Sequence, residues 1–263
     1  MNETPSPYSE TPEPVEDAQQ RSARIALPQA APYVTYTIIG VTVVFYLLQL
    51  GSVAVFGYPT SFGNIDWLEL FGARINDAIR AGQLWRLLTP ALLHGSITHI
   101  FFNMYALLSF GTSLEQYFGR WRFFTLYILG AFAGNVASFL FSDGYSIGAS
   151  TAVFGLIGAE AVFLFQNRKL LAGHFRRAIG NVLFIIAINL FLVGSLPGID
   201  NWGHIGGLVG GLMFTWFASP VWVIEGIQPY LQLVDKRSSR EVITGAALVL
   251  IIFGMLAMWG MVR

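Results

Sequence analysis

Long apolar runs separated by short polar connections predict a bundle of membrane-spanning helices. A helix needs about 20 mostly apolar residues to cross a bilayer. Runs close to this length occur at residues 33–56, 94–113, 121–141, 148–166, 179–196, 202–219 and 242–262. The pattern therefore predicts an all-α polytopic membrane protein with seven spans, several of them short and rich in glycine.

Two segments outside these runs have a different character. Residues 1–32 repeat Pro, Glu, Ser and Thr without apolar periodicity, which predicts a disordered tail. The connection between the first two spans mixes apolar side chains with scattered charges. It is too apolar for a solvated loop and too charged to span. Short helices in the headgroup region are favoured there, and a small extramembrane cap is the alternative.

Composition agrees with a membrane protein. Hydrophobic residues make up 54% of the chain and charged residues only 11%, whereas soluble domains carry about 25% charged residues. The formal net charge is zero, so there is no basic field of the kind that attracts nucleic acid. The chain contains no cysteine, which excludes disulfides and thiolate metal sites.

The distribution of Lys and Arg indicates the orientation, because basic residues accumulate in cytoplasmic connections. With the N-terminus in the cytoplasm, that side carries eleven of the 15 basic residues, within residues 21–24, 120–122, 168–177 and 236–240. The opposite side keeps four. We therefore expect a cytoplasmic N-terminus and an outer C-terminus.

Polar side chains in the spans are candidates for function, because burying them in a bilayer is costly. The histidines His94, His99 and His204 fall at the same end of their spans as Ser150. Asn103 follows His99 by one helical turn, so both project from one helix face. The predicted topology thus gathers four of these side chains in the outer half of one bundle: Ser150, His204, His99 and Asn103.

Small residues indicate which spans touch. They recur every four positions on the sixth and fourth spans: Gly203, Gly207 and Gly211, and Thr151, Gly155 and Ala159. This spacing lets helix backbones approach closely. A contact between the two spans would bring Ser150 near His204.

The same residue types suit acyl transfer. A serine hydroxyl becomes nucleophilic when a neighbouring base takes its proton, and a neutral imidazole is such a base. The developing oxyanion needs hydrogen-bond donors, which Asn103 and His99 supply. Because no carboxylate lies in the apolar part of the sixth span, Ser150 and His204 are expected to form a dyad.

Other interpretations of these residues exist. Ser150 also suits a packing role among small residues, and three histidines suggest a metal or haem site. However, His94 and His99 are not on one helix face, and no carboxylate accompanies them within the spans. Ala152 occupies the last glycine position of G-x-S-x-G, which argues against the nucleophile elbow of soluble hydrolases. No cofactor and no metal are expected.

Taken together, the motifs resemble those of the rhomboid intramembrane serine proteases, from about Tyr33 to the end of the sixth span. The resemblance is carried by Trp85-Arg86 in "GQLWRLLTPALLHGS", by "HGSITHIFFN", by Glu115, by "GASTAVFG" and by "GHIGGLVGG", in the family's order. Any one motif is weak evidence, but five in order are specific.

The resemblance implies a role for each matching residue. Ser150 is the expected nucleophile, and His204 the general base and later acid. His99 and Asn103 are the expected oxyanion donors, together with the Ser150 backbone N–H. Three further residues are expected to be structural: His94, Arg86 and Glu115. The departure is Thr151, where the family usually has glycine; a β-branched residue there is expected to crowd the oxyanion region or the sixth helix.

The resemblance also implies a domain plan of six plus one helices. Residues 33–219 form the six-helix protease core, and residues 220–263 add a cytoplasmic connection and a seventh span. We expect an integral multi-pass protein of a bacterial inner membrane whose partners are the lipid bilayer and single-span substrate proteins. Nucleic acid is not an expected partner, and the sequence gives no oligomeric state. The alternatives are a catalytically weak or non-proteolytic rhomboid-like protein that binds transmembrane clients, or a small transporter, although no internal repeat supports the latter.

Overall fold

The computed structural model of the chain describes residues 31–59, 64–227 and 230–263. The predicted disordered tail, residues 1–32, lies outside the described residues apart from its last two positions. The helices of the described chain are, in order, α1 (Tyr33–Phe56), α2 (Trp67–Gly72), α3 (Asn76–Arg80), α4 (Ile97–Phe118), α5 (Arg120–Phe141), α6 (Ser150–Gln166), α7 (Arg168–Leu171), α8 (Phe175–Ala187), α9 (Asn201–Ala218) and α10 (Ser239–Val262). We refer to the two ends of the bundle as the Ser150 end and the Gln166 end, after the ends of α6.

Each predicted span coincides with a helix: α1, α4, α5, α6, α8, α9 and α10. The fifth is irregular, because α8 passes into a π-helical turn at Ile188–Leu192 and then a 3₁₀ turn. Four helices of the described chain are long and apolar enough to cross a membrane: Tyr33–Phe56, Arg120–Phe141, Arg168–Ser195 and Ser239–Val262. The other three long helices carry the predicted site residues. Of these, α6 is apolar but has only 17 residues, whereas α4 and α9 contain more polar residues and glycines.

The central helix of the bundle is α6. Residues 151–159 are all buried, and α4, α5, α8 and α9 pack around them. The contacts with α5 and α9 are close because glycines face the neighbouring backbone. A Cβ built on Gly130 of α5 would lie 3.2 Å from the Cα of Gly155, and one built on Gly211 of α9 would lie 2.1 Å from the Gly155 oxygen. These three helices therefore form a tightly packed centre.

The remaining long helices surround this centre. α1 packs chiefly on α4, and α10 packs on α5 and α9. Two glycines of α10 make this possible: Gly245 lies against Phe214 and Gly260 against Phe139. The arrangement is a six-helix core with one additional C-terminal helix, as the sequence predicts.

The connection between α1 and α4 is folded. It contains α2, α3 and two 3₁₀ turns, in agreement with the short helices predicted there; their position relative to the headgroups stays a prediction. A capping box starts α2: Asp66 accepts from the Glu69 N–H, and the Glu69 carboxylate accepts from the Asp66 N–H. Farther along, β1 (Arg74–Ile75) pairs antiparallel with β2 (Tyr145–Ser146), which precedes α6.

The connection between α9 and α10 contains a β-hairpin that the sequence analysis did not predict. In it β3 (Trp222–Glu225) pairs antiparallel with β4 (Gln232–Asp235). The Asp235 carboxylate forms an ion pair with Arg122 of α5 at 2.7 Å and accepts a hydrogen bond from the Val221 N–H. These bonds hold the hairpin against the Gln166 end of the bundle.

Candidate active site

Ser150 is the first residue of α6 and follows a tightly held loop. Gly148 has a φ of 123°, a conformation that favours glycine, and its N–H donates to the Pro90 carbonyl at 2.9 Å. The next N–H, that of Ala149, donates to His94 Nε2 at 3.4 Å. Ser150 itself is half-buried. The backbone around the serine is therefore fixed while the residue keeps some accessible surface.

His204 lies in the first turn of α9, beside the start of α6. Its imidazole stacks on the ring of Phe154, with centroids 4.2 Å apart and an interplanar angle of 9°. Phe154 follows Ser150 by about one helical turn, so the His204 ring packs on α6 about one turn from the serine. Among the described residues no direct hydrogen bond joins Ser150 to His204, and Nδ1 of His204 is buried without a partner.

The backbones of α6 and α9 touch just below these two residues. A Cβ built on Gly207 would lie 2.0 Å from the carbonyl oxygen of Thr151, and one built on Gly158 would lie 2.8 Å from that of Leu208. No side chain fits into such gaps, so glycine is required for this approach. The predicted contact between the fourth and sixth spans is confirmed.

Thr151 is buried within this contact, at 3% exposure. A Cβ on Gly134 of α5 would lie 2.5 Å from Thr151 Cβ, and a Cβ on Gly203 of α9 would lie 3.1 Å from Thr151 Cγ2. The side chain thus occupies a notch that two glycines leave open, and α9 still approaches α6 closely. The effect of Thr151 on activity stays a prediction.

The two predicted oxyanion residues lie on α4, across the loop from Ser150. The His99 imidazole packs on Gly148: a Cβ built there would lie 2.7 Å from His99 Nε2 and 3.7 Å from Ser150 Oγ. Asn103 is buried, and its Nδ2 donates to the His99 carbonyl at 3.0 Å. One N–H of that amide remains in addition to the one used. His99 is therefore close to the serine, and Asn103 lies one turn behind it.

His94 joins three parts of the chain. The backbone N–H of His94 donates to Gln49 Oε1 of α1 at 3.0 Å, and its backbone carbonyl accepts from Gln49 Nε2 at 3.3 Å. Gln49 Nε2 also donates to the Asp66 carboxylate at 2.7 Å. The His94 ring packs edge-on against the His99 ring, with centroids 5.0 Å apart. Since His94 Nε2 also accepts from the loop before Ser150, it links that loop to α1 and α2.

The other two residues that were expected to be structural lie farther from the serine. Arg86 is buried and donates to the carbonyls of Leu70 and Ala73 at 2.8 and 2.7 Å, which holds α2 in place. Glu115, fully buried near the Gln166 end, accepts from the backbone N–H groups of Val34 and Thr35 at 2.9 and 2.7 Å. It caps the first turn of α1, whose N–H groups have no partner within the helix.

Asp200, which the sequence analysis did not single out, ties α9 to α5. It accepts from the Gly203 N–H at 3.0 Å, and Ser138 and Ser142 donate to its carboxylate. Burial alone raises the pKa of Asp200, but hydrogen bonds from serine hydroxyls and from Gly203 outweigh burial and lower the pKa below its usual value. This carboxylate fixes the start of α9 and hence the position of His204. An Asp just before an apolar run is an N-cap signal that could have revealed it.

A second residue was overlooked. The expectation that no carboxylate accompanies the histidines within the spans is wrong, because Glu160 lies on α6 inside the predicted span of residues 148–166. Glu160 lies well below the site, ten residues after Ser150. Within the described residues, no group of three or more His, Asp or Glu side chains is arranged to hold a metal ion.

Comparison with known proteins agrees with this architecture. Residues 81–221 match the Rhomboid domain family. The chain is 39% identical to Rhomboid protease GluP of Bacillus subtilis over 198 residues, which cover 74% of this chain and 37% of that protein. It is 36% identical to RHOMBOID-like protein 9, chloroplastic, of Arabidopsis thaliana over 187 residues, which cover 70% of this chain and 41% of the relative.

A third relative is Rhomboid-like protease 1 of Toxoplasma gondii, 37% identical over 148 residues, with 54% of this chain and 49% of the relative covered. The chain thus spans less than half the length of these relatives. The matched region runs from the connection before α4 to the end of α9, and includes every residue assigned to the site. This integral multi-pass membrane protein belongs to the rhomboid family.

Proposed function

We propose that the chain is an intramembrane serine endopeptidase that cleaves membrane-anchored proteins within or near their membrane span. The observation that carries the proposal is the stacking of His204 on Phe154, one turn from Ser150, in a bundle where glycines bring α6 and α9 into backbone contact. A serine beside an imidazole, with His99 next to the same loop, supplies nucleophile, base and oxyanion donor.

In the proposed mechanism, Ser150 Oγ attacks the scissile carbonyl carbon while His204 accepts the hydroxyl proton. The negative charge that forms on the carbonyl oxygen is stabilised by the Ser150 backbone N–H, His99 and Asn103. The C–N bond then breaks, His204 gives its proton to the leaving amine, and an acyl ester remains on Ser150. Water attacks this ester while His204 accepts a proton from it; the bond to Ser150 Oγ then breaks, His204 returns the proton to Oγ, and the second product leaves as a carboxylic acid.

The substrate class follows from the location of the site. A transmembrane helix keeps its carbonyls in internal hydrogen bonds, so the cleaved stretch must unwind before attack. Glycine and other weak helix formers near the scissile bond favour unwinding. We assign the N-terminus to the cytoplasm on the basis of the basic connections, which puts the Ser150 end in the outer half of the membrane. The bacterial cell membrane stays a proposal, since the relatives include a chloroplastic protein of Arabidopsis thaliana as well as a Bacillus subtilis protein.

The test is cleavage of a single-span substrate by the purified chain in proteoliposomes. Ser150→Ala and His204→Ala are expected to abolish cleavage, and labelling by a fluorophosphonate is expected to disappear in both. A Glu225→Gln variant, altered in the hairpin far from the serine, is the matched control. Full cleavage by either active-site variant contradicts the mechanism. Absence of cleavage by the unaltered chain, with retained binding of the span, favours the non-proteolytic alternative.

A further inference from the structure

Within the part of the chain that the structure describes, the central helix carries a carboxylate without a hydrogen-bond donor, away from the proposed catalytic residues. Glu160 follows Ser150 by ten residues on α6, which places it about 15 Å closer to the Gln166 end. Its Oε2 is buried, and no hydrogen-bond donor among the described residues reaches it. A carboxylate in this position is costly. A bound group that donates to this carboxylate would offset that cost.

The helices around α6 leave a gap between α4 and α8, which we call the groove. Both α4 and α8 pack on α6, but within the described chain they barely touch one another. On the α4 side, Tyr117 stacks on Phe163 at 4.9 Å. Phe163 follows Glu160 by about one turn of α6, so both lie on the same helix face. Glu160 is half-buried, so a partner can reach it from outside the bundle. A helix entering beside α6 would pass this side chain.

The first basic residue after Glu160 in the sequence is Arg168, and its guanidinium already contacts another residue. The guanidinium of Arg168 stacks over the Phe165 ring at 4.5 Å and donates to the Phe165 carbonyl at 2.8 Å. Glu160 lies about 9 Å from the Gln166 end of α6. Lys and Arg side chains extend along apolar surfaces while their charged groups seek a polar partner. A basic residue near that end of an incoming span therefore reaches the depth of Glu160.

We propose that Glu160 is a specificity-determining residue that binds a Lys or Arg in the substrate span, on the Gln166 side of the scissile bond. The inference rests on the proposed function, because it takes the occupant of the groove to be the substrate. The distance of about 15 Å corresponds to about five residues if the substrate is extended and about ten if it is helical. The basic residue is thus expected five to ten positions from the scissile bond, in the direction of the Gln166 end.

The experiment uses paired single-span substrates that differ only by Lys or Met at each of these positions. Cleavage by the full chain in proteoliposomes is expected to favour the Lys substrate about tenfold in kcat/KM at one or two adjacent positions. In the Glu160→Gln variant the preference is expected to fall below about twofold, with the Met substrate cleaved at the original rate. The Glu160→Lys variant is expected to reverse the preference, so that a substrate with Asp at the same position is cleaved faster than the Lys substrate. Glu225→Gln is the matched control and keeps the original preference.

A binding measurement separates this inference from the proposed function. The inactive Ser150→Ala variant, labelled at one introduced cysteine since the chain has none, reports binding of fluorescent Lys and Met spans by energy transfer. A Lys preference that disappears in the Ser150→Ala, Glu160→Gln variant supports the inference even if the chain cleaves nothing. An unchanged preference in Glu160→Gln overturns it. Equal losses for both substrates, with lower thermal stability, also overturn it, because they indicate a structural carboxylate.

Discussion

The contact between Gly207 and Thr151 gives a prediction whose size follows from the structure. In Gly207→Ala the new Cβ would lie 2.0 Å from the Thr151 oxygen, whereas ordinary contact begins at 3.4 Å. The Thr151 oxygen is a backbone atom and the new Cβ is bonded directly to the backbone, so neither can rotate away. The helix α9 must therefore move away from α6 by about 1.4 Å. Overpacking of this kind costs about 1–3 kcal/mol of folding free energy. A displacement of about 1 Å in a catalytic group costs about 100-fold in rate, so we expect activity to fall by at least that factor.

The assay measures cleavage of a single-span substrate and thermal unfolding on the same preparation. Gly254→Ala in α10 is the matched control, because nothing lies within 4 Å of a Cβ built there. It is expected to leave cleavage unchanged and to stabilise the helix by at most about 1 kcal/mol. If Gly207→Ala cleaves at the original rate and unfolds at the original temperature, the argument that glycine spacing positions His204 is refuted.

Three further predictions concern the loops and the first helix. Glu115→Ala leaves the first N–H groups of α1 without their acceptor and is expected to lower the free energy of unfolding by about 2–3 kcal/mol, measured by denaturation in detergent; an unchanged midpoint contradicts this. Gly148→Ala adds a Cβ 2.7 Å from the His99 ring at a φ of 123°, so cleavage should be lost. Gly82→Ala, also at a positive φ (94°) but with nothing within 4 Å of the added Cβ, should retain cleavage. Burial raises the pKa of Glu69 from 4.5 to about 7, so the folded state holds this proton more tightly and stability should fall as the pH rises from 4.5 to 7. In Glu69→Gln that part of the pH dependence of thermal unfolding should disappear, and its persistence would assign it to another group.

Much of the helical architecture could be predicted because each span must bury its apolar surface in lipid or in the bundle. The hairpin of β3 and β4 could not be. Its strands are held by pairing with one another and by the Arg122–Asp235 ion pair, which joins residues distant in sequence. The irregular end of α8 was also missed, since a π-helical turn at Ile188–Leu192 has no simple signature in hydropathy.

The residues of the candidate site also fall into those that the sequence could place and those that it could not. Residues one turn apart on a helix, such as His99 and Asn103, are placed on one face by helix geometry alone. The contact of α6 with α9 followed from glycine spacing. By contrast, Ser138 of α5 and Ser142 directly after that helix donate to Asp200 across helices, and this pairing depends on the relative depth of α5 and α9. Sequence spacing on one helix carries no information about that depth.

Thr151 shows why a local departure from a motif must be judged with its neighbours. Considered alone, a β-branched residue after the proposed nucleophile obstructs the passing helix. In the folded chain the obstruction is absent because Gly134, on a helix that no motif covers, leaves room for the threonine Cβ. The two positions form one packing unit, so their substitutions should not be additive. Gly134→Ala is expected to be more damaging beside Thr151 than in a Thr151→Gly background, although the Gly203 carbonyl, 2.7 Å from the added Cβ, limits the rescue.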